Sequence, residues 1–97
     1  PLHRTDVDLG ALVGEVVDLL RPLADERDVR IDGSDAHGTV HADARRLRQV
    51  LINLVTNGVR YNRCGGWVRV SAAPGSVSVS DSGPGIPEAI RARIFDP

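Results

Sequence analysis

Several features that mark particular classes of protein are scarce or absent in this chain. A single cysteine, Cys64, excludes an internal disulfide and suits a reducing compartment. No apolar run approaches the roughly 20 residues that a membrane-spanning helix needs. The formal net charge is −1, so charge suggests neither a nucleic acid nor an anionic membrane as a partner. At 97 residues the chain is long enough for one globular domain only.

The strongest pattern that is present lies over residues 43–62. Apolar residues recur there at spacings of three and four, which predicts one buried face of an amphipathic helix. Asp43 stands at the start, where a short acidic side chain can cap free N–H groups. We therefore predict a central helix whose apolar face consists of Leu47, Val50, Leu51, Leu54 and Val55.

A second face of this predicted helix is polar. Asn is a mediocre helix former, about 0.5 kcal/mol worse than Ala in a helix interior. Amide oxygens can bind a hard cation such as Mg²⁺, and an Arg can meet phosphate oxygens. The alternative is an ordinary solvated face without a ligand. The residues that fall nearly in line are Arg46, Gln49, Asn53, Asn57 and Arg60.

A strand and a glycine-containing loop follow later in the chain. Residues 77–81 alternate between apolar and polar, which predicts a strand that Asp81 closes. The next residues include Gly83 and Gly85, which allow a tight turn and a close approach of the backbone to a ligand. An ordinary strand-to-helix turn would have the same pattern. Its position downstream of the asparagine-bearing helix favours a binding site.

The remaining segments complete one predicted domain with no repeats. Residues 1–8 are predicted as a linker, and residues 9–26 as a first amphipathic helix capped by Asp6 or Asp8. Short strands are predicted at 29–31 and 39–41, with turns at 32–38. Residues 67–72 and 77–81 should form a hairpin, and Pro87 should open a helix at 88–94. This order predicts helices layered on one face of a mixed sheet.

Three segments together resemble the catalytic, ATP-binding domain of bacterial sensor histidine kinases, which are GHKL ATPases. Residues 43–62 are similar to the N box of that family, residues 81–87 to its G1 box, and residues 94–97 to the start of its F box. Gly58 replaces the usual Ala, and Asn62 stands where Thr or Ser is common. The resemblance implies a single partial domain over residues 1–97. Its fold would be a two-layer α/β sandwich, the Bergerat fold, incomplete at the C-terminal end.

The resemblance also implies an ATP site between the central helix and the loop after Asp81. Asn53 would hold Mg²⁺, and Asn57 with Arg60 would face the phosphate chain. Asp81 would accept a hydrogen bond from the adenine amino group. Arg60 could instead be a solvated cation, and Tyr61 could cap the edge of the core. The implied nucleotide-binding residues are Asn53, Asn57, Arg60, Tyr61, Asp81, Gly83, Gly85 and Ile86.

One position separates the reactions that the resemblance allows. GHKL relatives that hydrolyse ATP carry Glu, a general base for water, one turn before the residue that corresponds to Asn57. Asn53 occupies that position here, and an amide cannot take a proton. The implied enzyme is therefore a protein histidine kinase of a two-component system. Its acceptor would be a His on a separate dimerisation domain, followed indirectly by a response regulator. His3 lacks the acidic neighbour of an acceptor box, so we assign no catalytic residue to this chain.

The chain begins at Pro1 and ends at Pro97, inside the F box. We expect it to be part of a longer kinase and to lie in the cytoplasm. That parent kinase could be anchored in the inner membrane. Without the later lid and Gly-rich box we expect weak ATP binding and no kinase activity. An incomplete sheet would leave an unpaired edge and favour self-association. The alternatives are a degenerate GHKL module that only binds proteins, and a switch-type regulator that sequesters a partner.

Overall fold

The computed structural model describes residues 3–82 and 90–92. Its two helices are α1 (Leu9–Glu26) and α2 (Ala44–Arg60). Its strands, in chain order, are β1 (Arg4–Asp8), β2 (Arg30–Ala36), β3 (Thr39–Asp43), β4 (Trp67–Ala73), β5 (Ser76–Asp81) and β6 (Ile90–Ala92).

The larger sheet has the strand order β2-β4-β5-β6 and is mixed. Strand β2 runs parallel to β4, so the chain must cross over between them, and it does so through β3 and α2. The β4–β5 and β5–β6 pairs are antiparallel. A separate antiparallel pair joins β1 to β3. This architecture confirms the predicted α/β fold with a mixed sheet.

Both helices bury their apolar sides in one core with the sheet. On α2 the buried side chains include Leu47, Leu51 and Val55, as the spacing predicts. On β4 the alternate residues Val68 and Val70 are completely buried, because side chains two apart point to the same face of a sheet. The helices therefore lie on one face of the sheet, and the opposite face of β4 is more exposed.

Helix α1 has the predicted bounds and a defined cap. Oδ1 of Asp8 accepts a hydrogen bond from the backbone N–H of Ala11 at 3.1 Å, so Asp8 rather than Asp6 is the cap. Pro22 lies inside the helix, which nevertheless continues to Glu26. The β4–β5 hairpin is also confirmed: its loop contains Gly75 with φ +87°, a conformation that favours glycine.

The prediction of a linker over residues 1–8 was wrong for residues 4–8, which form β1. Val7 pairs with Val40 in β3 and is only 7% exposed. It is the one apolar residue of β1, so the local pattern was too weak to predict a strand. Pairing with a distant segment satisfies the backbone groups of these residues.

Two further segments differ from the sequence predictions. Strand β2 continues to Ala36 through the segment predicted as turns, with an irregular register between Asp32 and Asp35. The helix predicted at 88–94 was wrong at Ile90–Ala92, which form β6 and pair with β5. Pro87 is a local signal for the start of a helix, but pairing with the edge of β5 depends on residues elsewhere in the sequence.

Candidate functional site

The polar face of α2 is present as predicted and is open to solvent. The side chains of Asn53, Asn57 and Arg60 are all exposed, and so are Arg46 and Gln49. Nε2 of Gln49 donates a hydrogen bond to Oδ1 of Asn53 at 3.2 Å, one turn along the helix. Tyr61, directly after the helix, is 61% exposed, so it does not cap the core edge. These side chains are accessible to a ligand.

Asp43 fixes the start of α2. Its Oδ1 accepts hydrogen bonds from the N–H groups of Arg45 (3.1 Å) and Arg46 (3.3 Å), and its Oδ2 accepts one from the N–H of His3 (3.2 Å). These N–H groups, that of His3 most strongly, hold the pKa of Asp43 below its usual value. The ionised cap therefore anchors the helix that carries Asn53 and Asn57.

The cap makes part of the stability depend on pH. Since the folded-state pKa of Asp43 is lowered, its contribution is present above the unfolded-state pKa of about 4 and is lost as the pH falls through the folded-state pKa. Asp43→Asn keeps an oxygen acceptor for the cap but cannot titrate. We expect the wild type to lose more stability than this variant between about pH 6 and about pH 3. Urea unfolding at both pH values measures this, and equal losses would contradict it.

Asp81 lies at the end of β5, opposite Val68 in β4. Its side chain is half-buried and close to α2. A Cβ built on Gly58 would stand 3.8 Å from Oδ2 of Asp81 and 3.3 Å from Cγ2 of Val68. The structure thus brings Asp81 next to the C-terminal half of α2, one residue away from Asn57.

Some predicted site residues fall outside the described part of the chain. These are Gly83, Gly85 and Ile86, together with residues 94–97 of the predicted F box. Arg60 is exposed, and its carbonyl oxygen accepts a hydrogen bond from Nη1 of Arg27 at 3.4 Å. Of the eight predicted residues, five are therefore placed, and all five lie on the second half of α2, directly after it or beside it.

Asn62 and Ser82 were not among the predicted site residues, and the structure joins them around Trp67. Nδ2 of Asn62 donates to the carbonyl oxygen of Trp67 at 2.9 Å. Oγ of Ser82 accepts from the N–H of Trp67 at 2.8 Å and donates to Oδ1 of Asn62 at 3.3 Å. We call these three residues the Asn62–Trp67–Ser82 clasp. A polar residue after a helix and another after a strand gave no signal that they would meet.

The oxygen donors of the candidate site fit Mg²⁺ through one protein ligand, Asn53. Within residues 3–82 and 90–92, no group of three His, Cys, Asp or Glu side chains could hold a metal ion. The exposed Oδ1 of Asn53 is a hard oxygen donor that already accepts one hydrogen bond and has a second lone pair. A single protein ligand suits Mg²⁺, which usually keeps several waters and binds substrate phosphates.

An open groove lies at the N-terminal end of α2. It has a volume of about 560 Å³ and is lined by His3, Thr5, Asp43, Ala44, Arg45, Arg46 and Gln49. None of Asn53, Asn57 and Asp81 lines it. We therefore place the candidate site at the C-terminal half of α2, which carries both amide side chains and lies beside Asp81.

The family assignment follows from residues 42–97, which match the family described as histidine kinase-, DNA gyrase B- and HSP90-like ATPases. This segment contains α2, β4, β5 and the candidate site. The chain belongs to this family of ATPases.

Curated relatives give the branch of the family. The adaptive-response sensory kinase SasA of Crocosphaera subtropica is 35% identical over 102 aligned positions, which cover 98% of this chain and 27% of the relative. SasA of Synechococcus sp. (strain CC9311) is 41% identical over 96 positions, which cover 92% of this chain and 25% of the relative. The chain thus spans about a quarter of the length of these relatives.

Solved structures agree with this assignment. The catalytic domain of the histidine kinase ThkA has a TM-score of 0.76 at 29% identity, with 90% of this chain and 63% of that one covered. Full-length ShkA in complex with AMPPNP has a TM-score of 0.75 at 32% identity, with 87% of this chain and 19% of that one covered. The resemblance to the ATPase domain of a sensor histidine kinase is confirmed, and a module that only binds proteins is not favoured.

Proposed function

We propose that this chain is the part of a histidine kinase that binds ATP with Mg²⁺ beside α2 and Asp81, and that the whole kinase transfers the γ-phosphoryl group of ATP to a His on a separate dimerisation domain. A response regulator would then receive the phosphoryl group from that His. The observation that carries the proposal is the placement of Asn53 and Asn57 on the exposed face of α2, with Asp81 beside the same half of the helix. The similarity to ShkA, which was solved in complex with AMPPNP, supports a nucleotide as the ligand.

Each side chain has a role in this proposal. Oδ1 of Asn53 holds Mg²⁺, while Asn57 and Arg60 donate hydrogen bonds to the phosphate oxygens. The Asp81 carboxylate accepts a hydrogen bond from the adenine amino group, and Tyr61 lies near the rings. Gly83, Gly85 and Ile86 are the remaining residues of the proposal and would contribute to nucleotide binding from the segment after Ser82. Bound Mg²⁺ would neutralise negative charge on the phosphates.

The groups on α2 favour transfer of the phosphoryl group over hydrolysis. Phosphoryl transfer depends mainly on positioning and on electrostatic stabilisation, which amides and an Arg can provide. Activation of water needs a general base, and the amide of Asn53 cannot accept a proton at neutral pH. We therefore propose that the acceptor His, and not water, receives the phosphoryl group.

The proposal extends to location and assembly. No helix in residues 3–82 and 90–92 combines the length and apolar character that a membrane span requires. We propose that the domain works in the cytoplasm, where ATP is available. Within the described residues, β6 is the outermost strand of the larger sheet on the side of β5. We propose self-association through this edge.

Titration calorimetry with ATP tests the proposed function. We expect saturable binding that weakens about tenfold without Mg²⁺, as expected for the loss of one charge-assisted contact. In Asn53→Ala most of this Mg²⁺ dependence should disappear, whereas Arg45→Ala, an exposed change at the far end of α2, should leave it intact. An absence of ATP binding by the folded chain would contradict the proposal and favour a protein-interaction role.

A further inference from the structure

The Asn62–Trp67–Ser82 clasp is a closed network of hydrogen bonds. Oδ1 of Asn62 accepts from the Ser82 hydroxyl and, at 2.9 Å, from the N–H of Arg63. Nδ2 of Asn62 and the N–H of Ser82 both donate to the carbonyl oxygen of Trp67, at 2.9 and 3.1 Å. Each polar atom of both side chains has a partner, and the Asn62 amide fits in one orientation only.

The clasp extends the β4–β5 pairing beyond its last backbone pair. Val68 and Asp81 are the final partners in the register. One residue further on, the N–H of Ser82 donates to the carbonyl oxygen of Trp67, and the Ser82 hydroxyl accepts from the N–H of Trp67. The backbone of Asp81 is therefore fixed by its own pairing with Val68 and by the hydrogen bonds of the next residue, Ser82, to Trp67.

Close packing around the clasp leaves little freedom. A Cβ added to Gly66 would overlap Oδ1 of Asn62 and stand 2.7 Å from Oγ of Ser82. Only glycine therefore fits at this position without displacing the clasp. The backbone of Gly66 is buried where the loop from α2 enters β4.

The clasp also joins the two elements that form the candidate site. Asn62 follows α2 by two residues, and Ser82 follows β5 directly. The Asp81 carboxylate lies between these elements, with Oδ2 facing Gly58 of α2. A shift of the end of β5 relative to α2 would change the direction in which this carboxylate points.

We propose that Asn62 and Ser82 are positioning residues, which hold the Asp81 carboxylate against α2 and so set the affinity for a purine base that carries an exocyclic amino group. This inference rests on the proposed function, in which Asp81 accepts a hydrogen bond from that amino group. Neither side chain has to touch the nucleotide. Both act through the position of Asp81.

Nucleotide titrations of matched variants test this role. We expect Asn62→Ala and Ser82→Ala each to weaken ATP binding about fivefold, an effect typical of a misplaced hydrogen bond. Binding of the ATP analogue that lacks the exocyclic amino group should change less than about twofold. When either change is added to Asp81→Ala, it should cause no further loss of ATP affinity, because the residues act through Asp81.

A control separates positioning from general loss of stability. Asp8→Ala removes the cap of α1, so it destabilises the fold at a position that belongs to neither α2 nor β5. At a temperature where circular dichroism shows every variant to be folded, this control should bind ATP like the wild type. If Asp8→Ala weakened ATP binding as much as the clasp variants do, the positioning role would be overturned.

The remaining outcomes distinguish this inference from the proposed function. Equal losses for ATP and the analogue, or losses that add to that of Asp81→Ala, would show a merely structural role and overturn the inference alone. The same holds if Asp81→Ala weakens ATP binding while both clasp variants bind normally. If the wild type does not bind ATP, or Asp81→Ala has no effect, the proposed role of Asp81 fails and the inference falls with it.

Discussion

Replacing Leu51 by Ala is expected to lower the free energy of unfolding by about 3 kcal/mol. Leu51 lies in the middle of α2 and is completely buried in the core. The change removes apolar contacts and leaves a cavity that the neighbouring side chains fill only in part. Total stabilities of domains are about 5–15 kcal/mol, so this single change would remove a large share. Urea unfolding measures it as a lower midpoint with an unchanged slope.

Leu19 provides a matched control for Leu51. It lies on α1 and is 59% exposed, so Leu19→Ala makes the same chemical change at a site that has little burial to lose. We expect its free energy of unfolding to stay within about 0.5 kcal/mol of the wild-type value. Similar losses for both variants would contradict the packing of α2 against the sheet.

Replacing Asp81 by Ala is expected to weaken ATP binding about 10- to 150-fold, which corresponds to the loss of one hydrogen bond to a charged group. In the proposed site the carboxylate is the group that recognises the base. The half-buried carboxylate lies beside α2, the helix that carries Asn53 and Asn57. Competition with a fluorescent nucleotide measures the change in affinity.

Asp18→Ala is the control for this second effect. Asp18 is an exposed carboxylate on α1, so its removal makes the same change in net charge away from the site. We expect ATP affinity to remain within about twofold of the wild-type value, since long-range interactions between exposed charges are screened by salt. Equal losses in Asp18→Ala and Asp81→Ala would show that net charge, and not base recognition, determines binding.

The sequence was sufficient to predict α1 and α2 because their signals are local. Apolar spacing and the capping residues Asp8 and Asp43 define α1 and α2 closely. Strand β1 was missed because one apolar residue, Val7, is its only buried side chain. Its pairing with β3 depends on a segment more than 30 residues away, which no local pattern reports.

The residues of the candidate site on α2 could be predicted from the sequence, but their neighbours on the sheet could not. Asn53 and Asn57 attracted attention because asparagine is a poor choice in a helix interior. The placement of Asp81 beside Gly58 needs the sheet and helix together. The Asn62–Trp67–Ser82 clasp joins residues up to 20 positions apart through side chains and backbone, and such contacts appear only in the folded chain.

In the proposed function, α2 carries asparagine for nucleotide binding at the expense of helix stability. The Asn57→Ala variant separates these two effects, because Asn57 is exposed and lies inside the helix. We expect the variant to be about 0.5 kcal/mol more stable in urea, and to bind ATP about tenfold more weakly or worse. ATP affinity equal to that of the wild type, in a variant that is equally or more stable, would contradict the claim and leave α2 with an ordinary solvated face.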